Sequence, residues 1–227
     1  MKKDTDRAEN ICQVFALYEK CMQIQKGERM KRKIIFATGN MDKMREIQEI
    51  LGGLDADILS MKEAGISLDI EENGTTFEEN AVIKAKAVAG AVNEIVLADD
   101  SGLEIDYLNK EPGVYSARYM GEDTSYEVKN QALLKRLAGV PKKQRTARFV
   151  CAVAAVFPEG EVVVKRGTVE GYIGEKPEGE NGFGYDPIFY VEEYGCSTTA
   201  LSREEKNAIS HRGNALRMIR GELEKRI

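Results

Sequence analysis

Several residue types are scarce in this chain of 227 residues. Tryptophan is absent, histidine occurs once and cysteine occurs four times. The cysteines are far apart and form no C-x-x-C pair, so neither a zinc site nor a disulfide framework is predicted. This cysteine usage fits a reducing compartment, and we expect a cytoplasmic protein. The four cysteines are Cys12, Cys21, Cys151 and Cys196.

Long hydrophobic runs are also missing. No apolar run approaches the roughly 20 residues of a membrane-spanning helix, and the longest, 149–157, has the length of a strand. The N-terminus is charged, and the apolar patch at 11–17 has no small-residue cleavage site after it. A secretory signal is therefore not expected, and we predict no membrane partner.

The chain has no excess of positive charge. Its net charge is −5, and the basic run Lys31–Lys33 is too short to indicate nucleic-acid binding. A phosphate site would therefore have to be a local cluster of basic groups on an acidic protein. With 42% hydrophobic and 31% charged residues, the composition is that of a soluble globular protein with a sizeable core.

The first 32 residues differ from the remainder of the chain. Apolar residues at helical spacing between positions 11 and 25 predict an amphipathic helix, packed on the body or on a partner. The basic run follows, and then a strand begins. We therefore divide the chain into an N-terminal extension, 1–32, and one domain, 33–227.

A buried strand that leads into two carboxylates is the central feature of the domain. Ile95–Ala98 is apolar and is followed directly by Asp99, Asp100, Ser101 and Gly102. Buried carboxylates are costly unless they are paired, hydrogen-bonded or bound to a metal. Neighbouring strand side chains point to opposite faces, so one aspartate is a candidate base or metal ligand and the other a candidate anchor. A strand-to-turn junction is the alternative, since Asp, Ser and Gly are turn-forming residues.

A strand, a glycine-containing turn and a helix follow one another at the start of the domain. The strand is 34–37, the turn is 38–40 and the helix is predicted over 42–51. This arrangement presents backbone N–H groups and the helix dipole to a phosphate. Lys43 lies in the first helical turn, where a cation gains nothing from the dipole, so an anionic ligand would explain its position. An ordinary strand-to-helix turn is the alternative.

The remainder of the domain alternates strand and helix patterns. Capping boxes at Thr76, Thr124 and Ser202 each predict the start of a helix, and the first of these helices is expected to end at about Val92. Predicted strands are 57–60, 103–105, 146–157 and 162–173, of which the last two form a hairpin.

Three further groups of residues carry potential chemistry. Glu71 and Glu72 would supply a hard oxygen ligand for a divalent cation, or else form a solvated acidic turn. The loop 182–187 places two glycines beside two aromatic rings, which would stack on a nucleobase or belong to the core. His211, the single histidine, is followed by Arg212. A structural histidine and a surface arginine are the alternative interpretation of that pair.

Taken together and in this order, six motifs resemble the inosine triphosphate pyrophosphatase family. They are Phe36-Ala-Thr-Gly-Asn40 with Lys43 and Glu46, Thr76-Phe-Glu-Glu-Asn-Ala81, Ala98-Asp-Asp-Ser-Gly-Leu103, Pro112-Gly-Val-Tyr-Ser-Ala-Arg118, Gly182-Phe-Gly-Tyr-Asp-Pro187 and Ser210-His-Arg212. The resemblance covers about residues 33–220 and leaves out the N-terminal extension.

The resemblance implies an α/β fold with a long mixed β-sheet flanked by helices, two lobes and a central cleft. It also implies a homodimer that depends on Mg²⁺. The reaction would be hydrolysis between the α- and β-phosphates, converting ITP, dITP or XTP to the monophosphate and pyrophosphate. Such an enzyme removes deaminated purines from the nucleotide pool.

The resemblance also assigns roles to residues of this chain. Asp100 is implied as the catalytic carboxylate and a metal ligand, and whether it acts as base, ligand or both stays open. Glu71 is the expected second metal ligand, with Glu72 as the alternative. The implied substrate-binding residues are Thr38, Gly39, Asn40, Met41, Asp42, Lys43, Ser101, Phe183, Gly184, Tyr185, Asp186, Lys206, His211 and Arg212.

Three other functions are compatible with the residues alone. A nucleotide pyrophosphatase with another base preference, for instance for modified pyrimidines, needs the same phosphate chemistry. A nucleotide-binding sensor without turnover would not need the intact carboxylate set. A structural dimerisation protein would depend mainly on the predicted N-terminal helix.

Overall fold

The computed structural model of this protein describes residues 31–179 and 183–227. The predicted amphipathic helix of the N-terminal extension lies outside these residues, as does Gly182, and the division of the chain at residue 32 stays a prediction. Among the described residues, no helix combines the length and the apolar character needed to cross a membrane.

A seven-stranded mixed sheet forms the centre of the domain. Its strand order is β2-β1-β3-β4-β5-β6-β7; β1 runs parallel to β3, and the pairs from β3 to β7 are antiparallel. The strands are β1 (Arg32–Phe36), β2 (Ala56–Ser60), β3 (Ile95–Ile105), β4 (Thr146–Val156), β5 (Val162–Ile173), β6 (Phe189–Val191) and β7 (Cys196–Ser197). The predicted hairpin is the long β4–β5 pair.

Five α-helices of the described chain accompany the sheet. They are α1 (Met41–Leu51), α2 (Phe77–Ala89), α3 (Tyr126–Arg136), α4 (Arg203–Ile209) and α5 (His211–Leu223). The capping boxes predicted at Thr76 and Ser202 are present. The one predicted at Thr124 is wrong, because Ser125 caps α3 by accepting the N–H of Val128. Helix α2, which was expected to end at about Val92, ends at Ala89, with Gly90 as its C-cap.

Alternation of side chains along the central strands divides the core between the two faces of the sheet. On one face, Phe36 and Leu97 pack with buried residues of α1 and α5. On the other face, Ala98 packs with buried residues of α2. A separate cluster joins the far half of β3 to α3 and to residues 185–191. The predicted α/β architecture of a mixed sheet flanked by helices is confirmed.

Strand β3 is longer than the sequence predicted. The sequence predicted a separate strand at 103–105, with a strand-to-turn junction at 99–102 as the alternative to a strand that persists there, but one strand runs through all these residues. The reason is β4, which pairs with β3 from Val96 opposite Val156 to Ile105 opposite Ala147. The turn interpretation is therefore wrong, and Asp99 and Asp100 must point to opposite faces of the sheet.

The absence of a side chain at Gly167 permits the close approach of α5 to β5. A Cβ at this position would overlap with the His211 carbonyl oxygen and lie 2.5 Å from the Ala215 backbone nitrogen. We expect Gly167→Ala to lower the free energy of unfolding by about 1–3 kcal/mol, because the helix must shift away from the sheet. Urea unfolding followed by circular dichroism measures this change.

Gly221→Ala, in helix α5, is the matched control. No atom lies within 4 Å of a Cβ at Gly221, so alanine should raise the free energy of unfolding by about 0.5–1 kcal/mol through its better helix propensity. Equal stability of the two variants would contradict the close packing of α5 on β5.

Candidate active site

A cleft of about 610 Å³ collects most of the residues that the sequence predicted for a site. Its walls come from the turn before α1, from α2, from the middle of β3, from the loop before β6 and from the start of α5. The predicted residues that line it are Thr38, Gly39, Asn40, Lys43, Asp100, Ser101, Phe183, Gly184, Tyr185, Asp186, Lys206, His211 and Arg212. Those that do not are Met41, Asp42 and Glu71.

The turn before α1 is organised by its own side chains. Asn40 caps the helix by accepting the N–H groups of Asp42 at 2.9 Å and Lys43 at 3.2 Å, and the Thr38 hydroxyl accepts the Asn40 N–H. The side chain of Met41 is 61% exposed, and Asp42 pairs on the surface with Arg45. Of the first three helical residues, Lys43 is therefore the one that presents its side chain to the cleft.

Asp99 is the anchor of the site. It is 1% exposed and lies on the face of α1 and α5, where its Oδ2 is 3.0 Å from Lys43 Nζ and 3.3 Å from Arg212 Nε. Burial alone would raise the pKa of this carboxyl, but the two cations outweigh it and hold the pKa well below its ordinary value. Asp99 therefore stays ionised and fixes a cation from each of two helices.

Asp100 points to the opposite face, toward α2, and lines the cleft. Its Oδ2 accepts Asn80 Nδ2 at 3.0 Å, its Oδ1 accepts the Ser101 N–H at 3.0 Å, and Lys84 Nζ is 3.9 Å away. Burial raises the pKa of Asp100, and Lys84 only partly opposes this. The two neighbouring carboxyls thus have pKa values that are shifted in opposite directions, which is a frequent property of functional carboxyl pairs.

The second carboxylate at this face is Glu72 rather than Glu71. Glu72 lines the cleft, and its Oε2 is 2.9 Å from Lys84 Nζ, whereas Glu71 is exposed and does not line it. Glu72, which the sequence offered as the alternative metal ligand, is therefore the glutamate that lies near Asp100. Residues 31–179 and 183–227 contain no group of three or more His, Cys, Asp or Glu side chains arranged to hold a metal.

The loop before β6 is held together by Asp186. Its Oδ2 accepts the Phe183 N–H at 2.9 Å and Lys206 Nζ at 2.8 Å. Lys206 also pairs with Glu46 at 3.2 Å and lies 4.7 Å from the centre of the Phe183 ring. Burial alone would lower the pKa of Lys206, but the two carboxylates raise it. Asp186 is therefore a partner of the loop and of Lys206.

The start of α5 contributes an imidazole and a guanidinium. His211 stacks on Phe149 with ring centres 4.9 Å apart, and burial, followed by the charge of Arg212, holds its pKa well below its usual value. The imidazole is therefore neutral at pH 7. Arg212 donates to Asp99, to Glu46 and, at 3.1 Å, to the Ser101 hydroxyl. Its side chain is thus fixed on three sides.

Sequence analysis gave no role to several residues that lie near the site. The four-residue spacing of Asn80 and Lys84 does place them on one helix face, which was the available signal. Arg118, which donates to the Glu72 carbonyl at 3.2 Å, and Glu46 belong to recognised motifs. Phe149 lies within a hydrophobic strand and offers no local signal.

The comparison with known protein families agrees with this arrangement of residues. The Ham1 family model matches residues 34–222. The chain belongs to the Ham1 family. The resemblance derived from the six motifs is therefore confirmed, and the matched region contains every residue of the cleft described above.

Curated relatives of this Ham1-family chain carry one description. The dITP/XTP pyrophosphatase of Bacillus subtilis (strain 168) is 50% identical over 188 residues, which cover 83% of this chain and 95% of that protein. The dITP/XTP pyrophosphatase of Thermoanaerobacter sp. (strain X514) is 49% identical over 195 residues, covering 86% and 98%.

Solved structures of the family share the fold. The Staphylococcus aureus Ham1 protein has a TM-score of 0.78 at 43% identity, and the match covers 86% of this chain and all of that one. The dITP/XTP pyrophosphatase of Mycobacterium abscessus has a TM-score of 0.67 at 40% identity, with 82% and 98% covered.

The anchoring role of Asp99 generates a prediction about stability. Asp99→Asn should lower the free energy of unfolding at pH 7 by about 3 kcal/mol, because two cations lose their buried partner. In the wild type, the folded pKa lies below the unfolded value of about 3.9. This contribution is therefore complete above pH 5 and is lost as the pH falls through 4 and below. Denaturant unfolding between pH 3 and 7 should show a weaker acid dependence for the variant.

Asp42→Asn is the control for this experiment. Asp42 pairs with Arg45 at the surface, so its loss should change the free energy of unfolding by less than about 1 kcal/mol. If Asp99→Asn were no more damaging than Asp42→Asn, the assignment of Asp99 as an anchor would be wrong.

Proposed function

We propose that this chain hydrolyses the noncanonical purine nucleotides dITP, XTP and ITP to the monophosphate and pyrophosphate. The relatives bear out the sequence-based prediction of a dITP/XTP pyrophosphatase. The observation that carries the proposal is the position of Asp100, a buried carboxyl with a raised pKa on the wall of a cleft lined by lysines and aromatic rings. Such an enzyme removes deaminated purines from the nucleotide pool.

The triphosphate is bound by the cations around Asp100 and by the turn before α1. Lys43 and Lys84 both line the cleft, and each is oriented by a carboxylate, Asp99 in one case and Glu72 in the other. These ammonium groups stabilise the charge that develops as pyrophosphate departs. Arg118 adds a guanidinium on the same wall.

Asp100 orients the attacking water and accepts its proton. The hydrogen bonds from Asn80 and from the Ser101 N–H fix the plane of the carboxylate. Burial raises its pKa above the ordinary value for an aspartate, which makes the ionised carboxylate a stronger base. Because Asp99 faces the other side of the strand, it cannot take over this role and instead keeps Lys43 in place.

The carboxylates also fit a magnesium ion. Asp100 and Glu72 approach the same ammonium, Lys84 Nζ, at 3.9 and 2.9 Å, so their oxygens converge on one position for a cation. Mg²⁺ in phosphate-processing sites is commonly bound by one or two carboxylates together with substrate phosphates, and two carboxylates are present. When bound, the ion supplies charge neutralisation and lowers the pKa of a coordinated water. We propose Asp100 and Glu72 as the protein ligands, in place of the expected Glu71.

A separate set of lining residues recognises the base. The Phe183 ring offers a stacking surface, and the neutral His211 and the fixed Arg212 offer hydrogen-bond donors. A 6-keto purine carries an acceptor at O6, whereas adenine carries an amino group there. A site whose buried donors are left unpaired by the wrong base rejects that base strongly.

The assembly and location of the enzyme complete the proposal. The family resemblance supports a homodimer, and the cysteine usage supports a cytoplasmic location. The net charge of −5 gives no support for nucleic acid as a partner, in agreement with a small nucleotide as substrate.

The proposal is tested by measuring products from dITP, XTP, dATP and dGTP with Mg²⁺ present. We expect pyrophosphate, with much faster release from dITP and XTP than from dATP, whose base lacks the O6 acceptor. Asp100→Asn should lower kcat by at least about 100-fold through loss of the base. It should not lower the melting temperature, because a raised carboxyl pKa means that the ionised form disfavours the folded state. Release of orthophosphate, or equal rates on all four nucleotides, would contradict the proposal.

The choice between two adjacent glutamates tests the metal ligands. Glu72→Gln should raise the Mg²⁺ concentration that gives half-maximal activity by about tenfold, since it removes a charged oxygen ligand near Asp100. Glu71→Gln is the matched control, because Glu71 is exposed and does not line the cleft. It should leave the Mg²⁺ dependence unchanged. The reverse outcome would restore Glu71 as the ligand.

A further inference from the structure

The base-recognition loop, residues 183–186, is held by helix α3. The Tyr126 ring, in the first turn of the helix, meets the Tyr185 ring edge to face at a centroid distance of 5.2 Å. One turn further along, Asn130 Nδ2 donates to the Gly184 carbonyl oxygen at 3.1 Å. The loop is thus contacted by a ring and by an amide from the same helix.

Within residues 31–179 and 183–227, the side chain of Asn130 makes one hydrogen bond, to Gly184. The residue is 4% exposed, and its Oδ1 has no hydrogen-bond partner in the described part of the chain. A buried amide with an unused oxygen is costly. What the polar side chain gains at this position is therefore the hydrogen bond from Nδ2 to the Gly184 carbonyl. Because Asn130 does not line the cleft, it approaches the loop from behind.

This bond fixes the orientation of the Gly184–Tyr185 peptide. A trans peptide is planar, and its N–H and C=O groups point in opposite directions. Since the Gly184 carbonyl points away from the cleft toward Asn130, the Tyr185 N–H points toward the cleft. That N–H makes no hydrogen bond within residues 31–179 and 183–227. Gly184 has a φ of +69°, a conformation that glycine adopts without strain.

We propose that Asn130 is a positioning residue for base selection: it holds the Gly184–Tyr185 peptide so that the Tyr185 N–H donates to O6 of a 6-keto purine. This inference rests on the proposed function. An N–H donor bonds to the O6 acceptor of hypoxanthine or xanthine but meets the N6 amino group of adenine as a second donor. Asn130 therefore acts on selectivity through the backbone, without touching the substrate.

The test compares dITP with dATP, which share sugar and phosphates and differ in the base. In Asn130→Ala the peptide is free to rotate, and we expect the ratio of kcat/KM for dITP to kcat/KM for dATP to fall about tenfold. The fall should come from dITP, while the rate with dATP changes little. Asn130→Leu, which has a similar shape and no hydrogen-bond donor, should lower the ratio similarly and serves if the alanine variant folds poorly.

Leu137→Ala is the matched control for a merely structural effect. Leu137 is fully buried at the other end of α3, so its truncation should lower the melting temperature and leave the dITP-to-dATP ratio unchanged. An unchanged ratio in the folded Asn130 variants would overturn the inference while leaving the enzyme a pyrophosphatase. If the wild type released no pyrophosphate from dITP, the proposed function itself would fail.

Discussion

Two consecutive carboxylates in the middle of a continuous strand impose the constraint on which the site depends. Strand alternation sends Asp99 and Asp100 to opposite faces of the sheet, and both carboxylates are largely removed from solvent. Each face must therefore supply partners from the helix that covers it. Lys43 and Arg212 come from the α1 and α5 side, and Asn80 and Lys84 from α2. Each of these three helices thus supplies at least one partner to the two aspartates.

The two faces neutralise their carboxylates to different degrees, and this difference distinguishes the two aspartates. Asp99 has two close cations and stays ionised, with a depressed pKa. Asp100 has an amide partner and one more distant ammonium, so burial dominates and raises its pKa. A buried ion pair adds little net stability over an apolar pair, but losing one partner is costly. Asp99 therefore fixes positions, whereas the raised pKa of Asp100 fits the role of general base that we propose for it.

Arg212 connects the anchored strand to the residues that we propose for base recognition. Its guanidinium donates to Asp99, Glu46 and the Ser101 hydroxyl, and Glu46 also pairs with Lys206 beneath the Phe183 ring. Asp99 thus orients both Lys43 and Arg212. The residues that we propose for phosphate binding and for base recognition therefore belong to one charged network.

The sequence by itself determined the features that depend on neighbouring residues. These are the caps of α2 and α4, the Asn40 turn and the long hairpin. Tertiary structure decided what depends on distant partners. Pairing with β4 carried β3 through a segment with turn propensity, and the path of the 71–74 segment brought Glu72 rather than Glu71 to Lys84. The contacts of His211 with Phe149 and of Asn130 with Gly184 join residues more than 50 positions apart. No local pattern encodes such contacts, because long-range packing selects them from many combinations that are equally compatible with the local sequence.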